Sequence, residues 1–482
     1  MRATKLAALS AAVAMSACTM IPKYQQPDTA VAGKYETQSA GDANRPAATD
    51  IGWWDFYRDE NLRKLIQLAL QNNRDLRVSI LNIEQARAQY RIQRADLLPT
   101  LSAQAGGTIE RLPADLLTPG EPAVEHEYAV GGAVASYEVD LFGRVRSLSE
   151  SALQSYLATE ETRKAAQISL VAEVANAWLT LQADLQLRSL TAETLVNQRA
   201  SYKIEKAGFD AGTATALDLS QSETQVRSAE ANLAQYDRQA QQDVNALTLL
   251  VGAPIPKPLL HAEPFDSIRF DEGLSAGLPS DLLTRRPDIV AAESQLKAAN
   301  ANIGAARAAF FPRIMLTASG GTASASLSGL FDGGSSSWSF GPSISMPIFD
   351  YGRNKANLDV AKVNAQIQIA SYQKAIQAAF HDVSDALDSR ETFVRQELAQ
   401  AQLVSASGTA FRLSTERYQQ GVDGYLNVLV SQRSLYDAQQ MLVKVQLARE
   451  SNTVSLYRAL GGGWKGGHVD SESAASSSAP YS

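Results

Sequence analysis

The sequence predicts an α+β fold that joins a membrane β-barrel, built from several copies of the chain, to long coiled-coil helices. Three observations lead to this prediction: the chain contains an internal repeat, each half carries two segments of alternating polarity, and each half ends in long helices with heptad spacing. The 482 residues are enough for more than one domain, and aromatic residues make up only 7% of them, which suits long helices.

The first 17 residues have the pattern of a secretory signal peptide. Arg2 and Lys5 precede a short apolar run, and small residues separate this run from Cys18, the only cysteine of the chain. The stretch MSAC resembles the lipobox of bacterial lipoproteins, in which the cysteine becomes the acylated first residue; the alternative is a spare cysteine beside the cleavage site. The following Thr19, in place of Asp, implies sorting to the outer membrane. We expect a covalent lipid on Cys18, with palmitate among its acyl groups, and no other cofactor.

The two halves of the chain repeat the same succession of motifs. From Gly143 and Gly352 onward the offset is constant at 209 residues, since 352 − 143 = 209 and 461 − 252 = 209. Each half therefore runs strand, loop, strand, long helix, turn and long helix. Three pairs of motifs show the correspondence: RADLLPT (94–100) with RAAFFPR (307–313), FGRVR (142–146) with YGRNK (351–355), and LLVG (249–252) with RALG (458–461).

Heptad spacing predicts long helices in both halves. No proline interrupts residues 145–253 or 348–479. The segment before Gly212 is about 60 residues long, which as one helix spans roughly 90 Å. A sustained repeat of 3.5 residues indicates helices packed as coiled coils. In the first half, the apolar residues that lie seven positions apart are Leu219, Val226, Leu233, Ala240 and Leu247.

Four segments of about ten residues alternate between apolar and polar side chains, the pattern of strands with a different environment on each face. The predicted strands are about 100–110, 129–141, 314–325 and 338–349. Ala133 and Tyr137 are predicted to share the apolar face of the second strand. The apolar face of the fourth is predicted to meet lipid through Trp338, Phe340, Ile344, Met346 and Ile348. The alternative is one face of a β-sandwich, which shows the same alternation.

Four strands cannot close a barrel, and an open strand edge is not tolerated in lipid. The chain is therefore expected to assemble around an axis. Two copies would give eight strands and a barrel filled by side chains, whereas three copies would give twelve and leave a lumen. Ser and Gly between the apolar positions of the fourth strand favour a water-filled lumen, so a homotrimer in contact with outer membrane lipid is predicted.

The residues do not indicate an enzyme, a metal site or a nucleic-acid partner. The four histidines lack metal-ligand spacing, and no phosphate-binding loop is present. The net charge is −7 and no run of Lys and Arg occurs, so nucleic acid is not an expected partner.

The patterns divide the chain into six predicted segments. They are a signal peptide (1–17), an N-terminal lipid-anchored segment (18–60), a first repeat (61–252), a connecting segment (253–285), a second repeat (286–463) and a disordered tail (464–482). Within this tail, the stretch SESAASSSAPYS (471–482) is rich in Ser and has the composition of a disordered segment.

Several motifs together closely resemble TolC-type outer membrane factors, in particular their acylated OprM-like branch. Beside the lipobox cysteine, these motifs are VDLFGR (139–144), GLPSDLLTRRPDI (277–289), ARAAFFPRI (306–314) and RYQQGVDGYLNVL (417–429). The resemblance implies a trimeric outer-membrane β-barrel, with four strands per chain and twelve in all, continuous with a long periplasmic α-helical coiled-coil barrel.

The resemblance also implies the function of an outer membrane channel in a tripartite efflux pump, the exit duct for drugs and other small toxic compounds from the periplasm. Its partners would be a periplasmic adaptor protein and an inner-membrane transporter of the resistance-nodulation-division class. Two alternatives remain: a channel of the same fold for metal efflux or protein secretion, and, in a different class, a coiled-coil structural lipoprotein.

The turn before the last long helix departs from the OprM-like pattern Tyr-Leu-x-x-Leu-Asp-Ala-Gln-Arg, whose acid forms a charged ring at the periplasmic constriction. Val430 stands at the position of the acid, while Leu426 and Arg433 are kept. We expect a periplasmic gate in which Leu426 and Val430 form an apolar constriction and Arg433 pairs with Asp218 or Glu223. The alternative is that Val430 only packs within the helix tip.

Overall fold

The computed structural model describes residues 19–29, 31–32, 35, 47–113, 115, 117, 120, 122–271, 274 and 279–466. Three predicted features lie outside these residues: the signal peptide, the acylated Cys18 and the part of the tail from residue 467 onward.

Two pairs of long helices are the largest elements of the described chain. The α-helices are α1 Trp53–Phe56, α2 Glu60–Asn72, α3 Arg74–Ala95, α4 Arg144–Asp210, α5 Ala216–Val251, α6 Pro279–Arg285, α7 Pro287–Ala308, α8 Arg353–Gln419 and α9 Tyr425–Ala459. The strands are β1 Leu101–Arg111, β2 Val124–Glu138, β3 Arg313–Ser324 and β4 Ser336–Ser345. Short 3₁₀ helices are Ala48–Asp50, Lys257–Leu260, Phe265–Ser267 and Leu327–Gly329.

The chain divides into two compact units. Of the described residues, those in 19–28, 82–160 and 291–373 form the strand unit, which holds β1 to β4. The described residues in 29–81, 161–290 and 374–466 form the helical unit. The predicted lipid-facing residues belong to the strand unit, and the predicted gate residues belong to the helical unit.

The strands form one antiparallel sheet in the order β1, β2, β3, β4. Leu101 of β1 lies opposite Val134 of β2, and Arg313 of β3 lies opposite Ser345 of β4. Both ends of β1 and β3 lie within one residue of the predicted bounds, whereas β2 begins five residues earlier than predicted. In the single chain, β1 and β4 are the edges of the sheet.

A β-bulge in β2 changes the face on which its side chains lie. Val134 is opposite Ala318, but the next paired residue, Tyr137, is opposite Leu316, so β2 has one residue more than β3 at this point. Val134 therefore shares a face with Tyr137. The prediction that placed Ala133 on the face of Tyr137 is wrong, because strict alternation makes no allowance for an extra residue.

β4 ends at Ser345, four residues before the predicted end of the strand. Its partner β3 begins at Arg313, opposite Ser345, so the next residues have no neighbouring strand within the chain. Pro347 also lacks a backbone N–H. Met346 and Ile348, which were predicted as barrel residues, therefore lie beyond β4 in the single chain.

Helix lengths and glycine conformations confirm the internal repeat. α4 and α8 each contain 67 residues, and their first residues, Arg144 and Arg353, are 209 positions apart (353 − 144 = 209). Glycine adopts a positive φ without the steric cost of a Cβ atom, so it suits the tight entries and exits of these helices. Six such glycines, with φ between 72° and 82°, form three pairs at the same offset: Gly143 and Gly352, Gly212 and Gly421, and Gly252 and Gly461.

The helical unit has a core of large buried side chains. Trp178 and Leu181 of α4 are completely buried, as is Leu247 at the end of the predicted heptad run in α5. The rings of Phe56 and Tyr457 stack with centroids 3.8 Å apart. Burial of this kind stabilises long helices more than their intrinsic propensity does. No helix in the described part of the chain combines the length and the apolar character that crossing a lipid bilayer requires.

Candidate functional site

Two repeat-related turns, 211–215 and 420–424, join the paired long helices. In the first turn, the backbone N–H of Thr213 donates to the Gly208 carbonyl at 2.8 Å. In the second, Arg417 Nη2 donates to Asp423 Oδ1 at 3.1 Å, and this ion pair lowers the pKa of Asp423 below its ordinary value. A hydrogen bond thus holds each turn to the end of the helix that precedes it.

Leu426 and Val430 lie one turn apart on the same face of α9, and both are exposed in the single chain. The other face of this turn is buried, because Tyr425, Val428 and Leu429 pack together there. An exposed apolar pair at the start of a helix is available for contact with equivalent residues of other copies, as an apolar constriction requires.

The two carboxylates predicted to pair with Arg433 are held by their own helix. Asp218 Oδ2 accepts hydrogen bonds from Thr215 N at 3.2 Å and from Thr215 Oγ1 at 2.6 Å, which closes a capping box at the start of α5. Glu223 forms an ion pair with Arg227 at 3.2 Å, one turn further along. Within the single chain Arg433 is exposed and these two carboxylates have other partners, so the predicted pairing of Arg433 stays a prediction for the assembled channel.

A buried carboxylate near the turns was not predicted from the sequence. Glu205 of α4 is buried and accepts a hydrogen bond from the Tyr418 hydroxyl of α8 at 2.5 Å. Burial and this hydrogen bond raise the pKa of Tyr418 well above its ordinary value, so its hydroxyl stays protonated. Burial raises the pKa of the neighbouring Tyr425 to about 12. The sequence signal for this contact is weak, because it depends on how α4 packs against α8.

Asp184 and Asp243, on neighbouring helices of the helical unit, form a pair of interacting carboxyl groups. Burial, a hydrogen bond with Asp184 of α4 and the charge of that carboxylate raise the pKa of Asp243 of α5 to about 7. Burial also raises the pKa of Asp184, while the hydrogen bond with Asp243 and the charge of Lys444 oppose this rise. Asp243 therefore keeps its proton to a higher pH than an ordinary aspartate does.

Replacing Asp243 with asparagine is expected to remove a pH dependence of stability. Between its ordinary pKa of 3.8 and about 7, Asp243 binds a proton in the folded chain that the unfolded chain does not bind. The free energy of unfolding contributed by this group therefore falls as pH rises through that range and is constant above it. Asparagine donates the same hydrogen bond without titrating.

Thermal unfolding at about pH 5 and about pH 8 measures this difference. The loss of stability at the higher pH should be smaller in Asp243→Asn than in the parent. Asp237→Asn, on the exposed side of the same helix, is the matched control and should keep the parent's pH response. An unchanged response in Asp243→Asn would contradict the raised pKa of Asp243.

The strand unit exposes apolar side chains along β4. Trp338, Phe340 and Ile344 are all exposed in the single chain, as are Met346 and Ile348 beyond the strand. Ser343 lies on the opposite face from Ile344, since successive side chains of a strand alternate. A contiguous exposed apolar surface indicates contact with lipid or with another protein.

A four-stranded sheet with an exposed apolar face, combined with two repeat-related pairs of long helices, defines an outer membrane channel of the α+β class. The sequence matches the family described as outer membrane efflux protein over residues 65–253 and 278–462, once in each repeat. The chain belongs to this family.

Relatives and solved structures of outer membrane proteins match nearly the whole chain. The chain is 48% identical to the probable efflux pump outer membrane protein TtgC of Pseudomonas putida, over 93% of both chains. It is 46% identical to the outer membrane protein OprJ of Pseudomonas aeruginosa, over 96% of both chains. The open state of the Neisseria gonorrhoeae MtrE outer membrane channel matches 93% of this chain and 99% of its own, with 44% identity and a TM-score of 0.85.

These matches confirm the predicted fold class and channel function. The chain combines four strands with long helices in two repeats, and its structural neighbours are trimeric outer membrane channels. The family consists of channel proteins rather than enzymes. Among the residues that the structure describes, no three His, Cys, Asp or Glu side chains come together to hold a metal ion.

Proposed function

We propose that three copies of this chain form the outer membrane channel of a tripartite efflux pump, through which drugs and other small toxic compounds leave the periplasm. The observation that carries the proposal is the match of both repeats to the outer membrane efflux protein family. A periplasmic adaptor protein and an inner-membrane transporter of the resistance-nodulation-division class are the partners of the channel. The helical unit extends into the periplasm, where these partners dock.

The cargo proposed for the pump consists of small organic compounds. Relatives in Pseudomonas putida that are 47–48% identical to this chain are named as outer membrane proteins of antibiotic, toluene and solvent efflux pumps. A channel with a water-filled lumen does not itself select among such compounds, so the transporter sets the cargo. The gate and the lumen need only admit it.

Deletion of the gene tests this function. The deletion strain should become more susceptible to antibiotics, dyes and organic solvents, and a plasmid copy should restore resistance. The same strain is exposed to metal salts in parallel. Susceptibility to metal salts alone would favour the metal-efflux alternative, and unchanged susceptibility to every compound would contradict efflux.

The anchor proposed for the chain is a covalent lipid on Cys18, and the segment after it is held independently of that lipid. Asn300 Nδ2 of α7 donates to the Pro22 carbonyl at 2.8 Å, and the Tyr24 hydroxyl donates to Glu293 Oε1 at 2.9 Å. These bonds fasten the N-terminal segment to the strand unit. Loss of the lipid should therefore not unfold this segment.

Cys18→Ala is expected to remove the acyl groups and weaken membrane tethering without abolishing trimer formation. Two or more acyl chains hold a protein stably in a membrane, whereas the variant would rely on its barrel alone. Mass spectrometry of the mature N-terminal peptide measures the modification, and native gels measure the trimer. An unmodified Cys18 in the mature parent protein would contradict the anchor.

A further inference from the structure

The sheet of the strand unit has two open edges in the single chain, and apolar residues beside both edges are exposed. Ile348 and Tyr351, which follow β4, are 96% and 91% exposed. Leu98 and Leu101, at the start of β1, are 72% and 80% exposed. Side chains of this size are normally covered by lipid or by another protein surface.

The junction between the two repeats, where β2 pairs with β3, shows how such residues are covered inside the chain. The rings of Phe142 and Phe311 stack with centroids 4.7 Å apart. The Val139 backbone N–H donates to the Ile314 carbonyl at 2.9 Å, which continues the pairing beyond the end of β2. Val139, Phe142 and Ile314 are half-buried as a result.

The repeat relates these contacting residues to the exposed residues at the edges. RADLLPT and RAAFFPR, which lead into β1 and β3, are offset by 213 positions (307 − 94 = 213), and the segments after β2 and β4 are offset by 209. The correspondences are Phe311 with Leu98, Ile314 with Leu101, Phe142 with Tyr351 and Val139 with Ile348. Each exposed residue at an edge is thus the counterpart of a residue that contacts the other repeat. A second copy of the chain supplies the missing contact at both edges.

The same correspondence extends to the strands themselves. Before the bulge, β2 and β4 are offset by 210 positions instead of 209, because β2 has one extra residue there. The pairing of Leu101 with Val134 then predicts that Ile314 lies opposite a residue numbered 134 + 210 = 344. The structure shows Ile314 opposite Ile344. The offsets of 210 and 213 therefore reproduce the observed pairing of β3 with β4, although neither offset was taken from that pairing.

The register between copies follows when each β2 residue is replaced by its counterpart in β4 and each β3 residue by its counterpart in β1. Val130 lies opposite Thr322. Their counterparts are Phe340 and Ile109, since 130 + 210 = 340 and 322 − 213 = 109. On the other side of the bulge, Tyr137 opposite Leu316 becomes residue 346 opposite residue 103, since 137 + 209 = 346 and 316 − 213 = 103. Both results belong to one continuous register.

We propose that β4 of one copy pairs antiparallel with β1 of the next copy in the register that sets Phe340 opposite Ile109 and Ile344 opposite Ala105. Tyr351 packs on Leu98 at the end of this junction, as Phe142 does on Phe311. The proposal rests on the trimer that the proposed channel requires. It concerns assembly alone, so its test does not involve transport.

The polarity of the two strands agrees with this register. The apolar residues of β4 are even-numbered and those of β1 are odd-numbered, and the register pairs even with odd positions throughout. One apolar face therefore continues across the junction, and Ser343 meets Gly106 on the other face. A slip by one residue would set apolar side chains beside polar ones along the whole strand.

The register also explains why β4 ends earlier than β2 does. Tyr137 and Glu138 of β2 pair only with β3, because β1 begins opposite Val134. Their counterparts after β4, Met346 and Pro347, would pair only with β1 of the next copy. In the single chain this partner is absent, so β4 ends at residue 345.

Disulfide formation between copies tests the register with four cysteine positions. The register sets Ser343 opposite Gly106 and Ser345 opposite Gln104, all on the polar face. Directly opposite residues have Cα atoms about 4.5–5.5 Å apart, which a disulfide can bridge, whereas diagonal residues are about 7–8 Å apart and too distant. The first matched double variant combines Ser343→Cys with Gly106→Cys, and the second combines Ser345→Cys with Gln104→Cys. Two swapped double variants, in which each β4 cysteine is combined with the other β1 cysteine, serve as the comparison.

Non-reducing gels of the oxidised membrane fraction report the result. The two matched double variants should convert most of the monomer band into covalent dimers and trimers that reduction reverses. The two swapped combinations, Ser343→Cys with Gln104→Cys and Ser345→Cys with Gly106→Cys, carry the same substitutions and should remain monomeric on the gel. The four single variants, each with native Cys18, provide the background and show on native gels that each substitution permits trimer formation.

Cross-linking of a swapped combination in preference to the matched ones would place the junction two residues away and overturn the register. Trimers that fail to cross-link in either matched variant would overturn it as well. Efflux can fail for other reasons without changing these bands, so this result and the proposed function are distinguishable.

Discussion

Ile344→Arg is expected to prevent stable insertion of the trimer into the outer membrane, whereas Ser343→Arg is expected to be tolerated. An arginine on the lipid face costs about 2–4 kcal/mol near the bilayer midplane, and a trimer carries the substitution three times. Ser343 lies on the other face of β4, where an arginine side chain meets water. The two positions are adjacent in sequence, so they differ chiefly in the face on which the side chain lies.

Membrane fractionation and native gels measure the outcome. The Ile344→Arg chain should be largely absent from the outer membrane fraction, with little trimer. Ile344→Leu serves as a second control, since it keeps the apolar character at the same position. Equal insertion of the two arginine variants would show that the assignment of faces on β4 is wrong.

The combined substitution of Leu426 and Val430 by serine is expected to raise the basal conductance of the channel. Both residues are exposed on one face at the start of α9, while the other face of the same turn is packed. An apolar constriction closes a pore by excluding water, so hydroxyl groups at these positions would let the pore fill. Val430→Asp should instead increase the preference for cations, because it places a ring of carboxylates at the same level.

Single-channel recordings in planar bilayers measure both effects. Met441→Ser is the matched control, since Met441 is an exposed apolar residue of the same helix away from the turn, and its conductance should equal that of the parent. Closure by an apolar ring should also change little with salt concentration, unlike closure by ion pairs, which salt screens. If the double serine variant conducts like the parent, the constriction lies in another part of the channel.

The helices and the repeat could be predicted because their signals are local in the sequence. Long segments without proline, heptad spacing and glycines at the helix ends each act through neighbouring residues. The two turns were placed in the same way, from Gly212 and Gly421. The resemblance of several separate motifs then supplied the function, which periodicity alone does not.

The details that escaped prediction depend on partners distant in sequence. The bulge in β2 is visible only from its pairing with β3, and β4 ends where its partner strand begins. The raised pKa of Asp243 depends on its proximity to Asp184, which only the packing of the two helices reveals. The role of Asp218 could have been read locally, since Thr215 three residues before it forms a capping-box pattern.

The extra residue in β2 has a consequence for the symmetry of the ring that three sheets form in the proposed trimer. Two identical halves in each of three chains would give a six-fold arrangement with six equal seams. Because β2 has one residue that β4 lacks, the β2–β3 junction within a chain and the proposed β4–β1 junction between chains are not equivalent. The sheet of the proposed trimer therefore has three-fold symmetry only. The two halves of the chain therefore occupy different environments in the ring, and one half cannot take the place of the other.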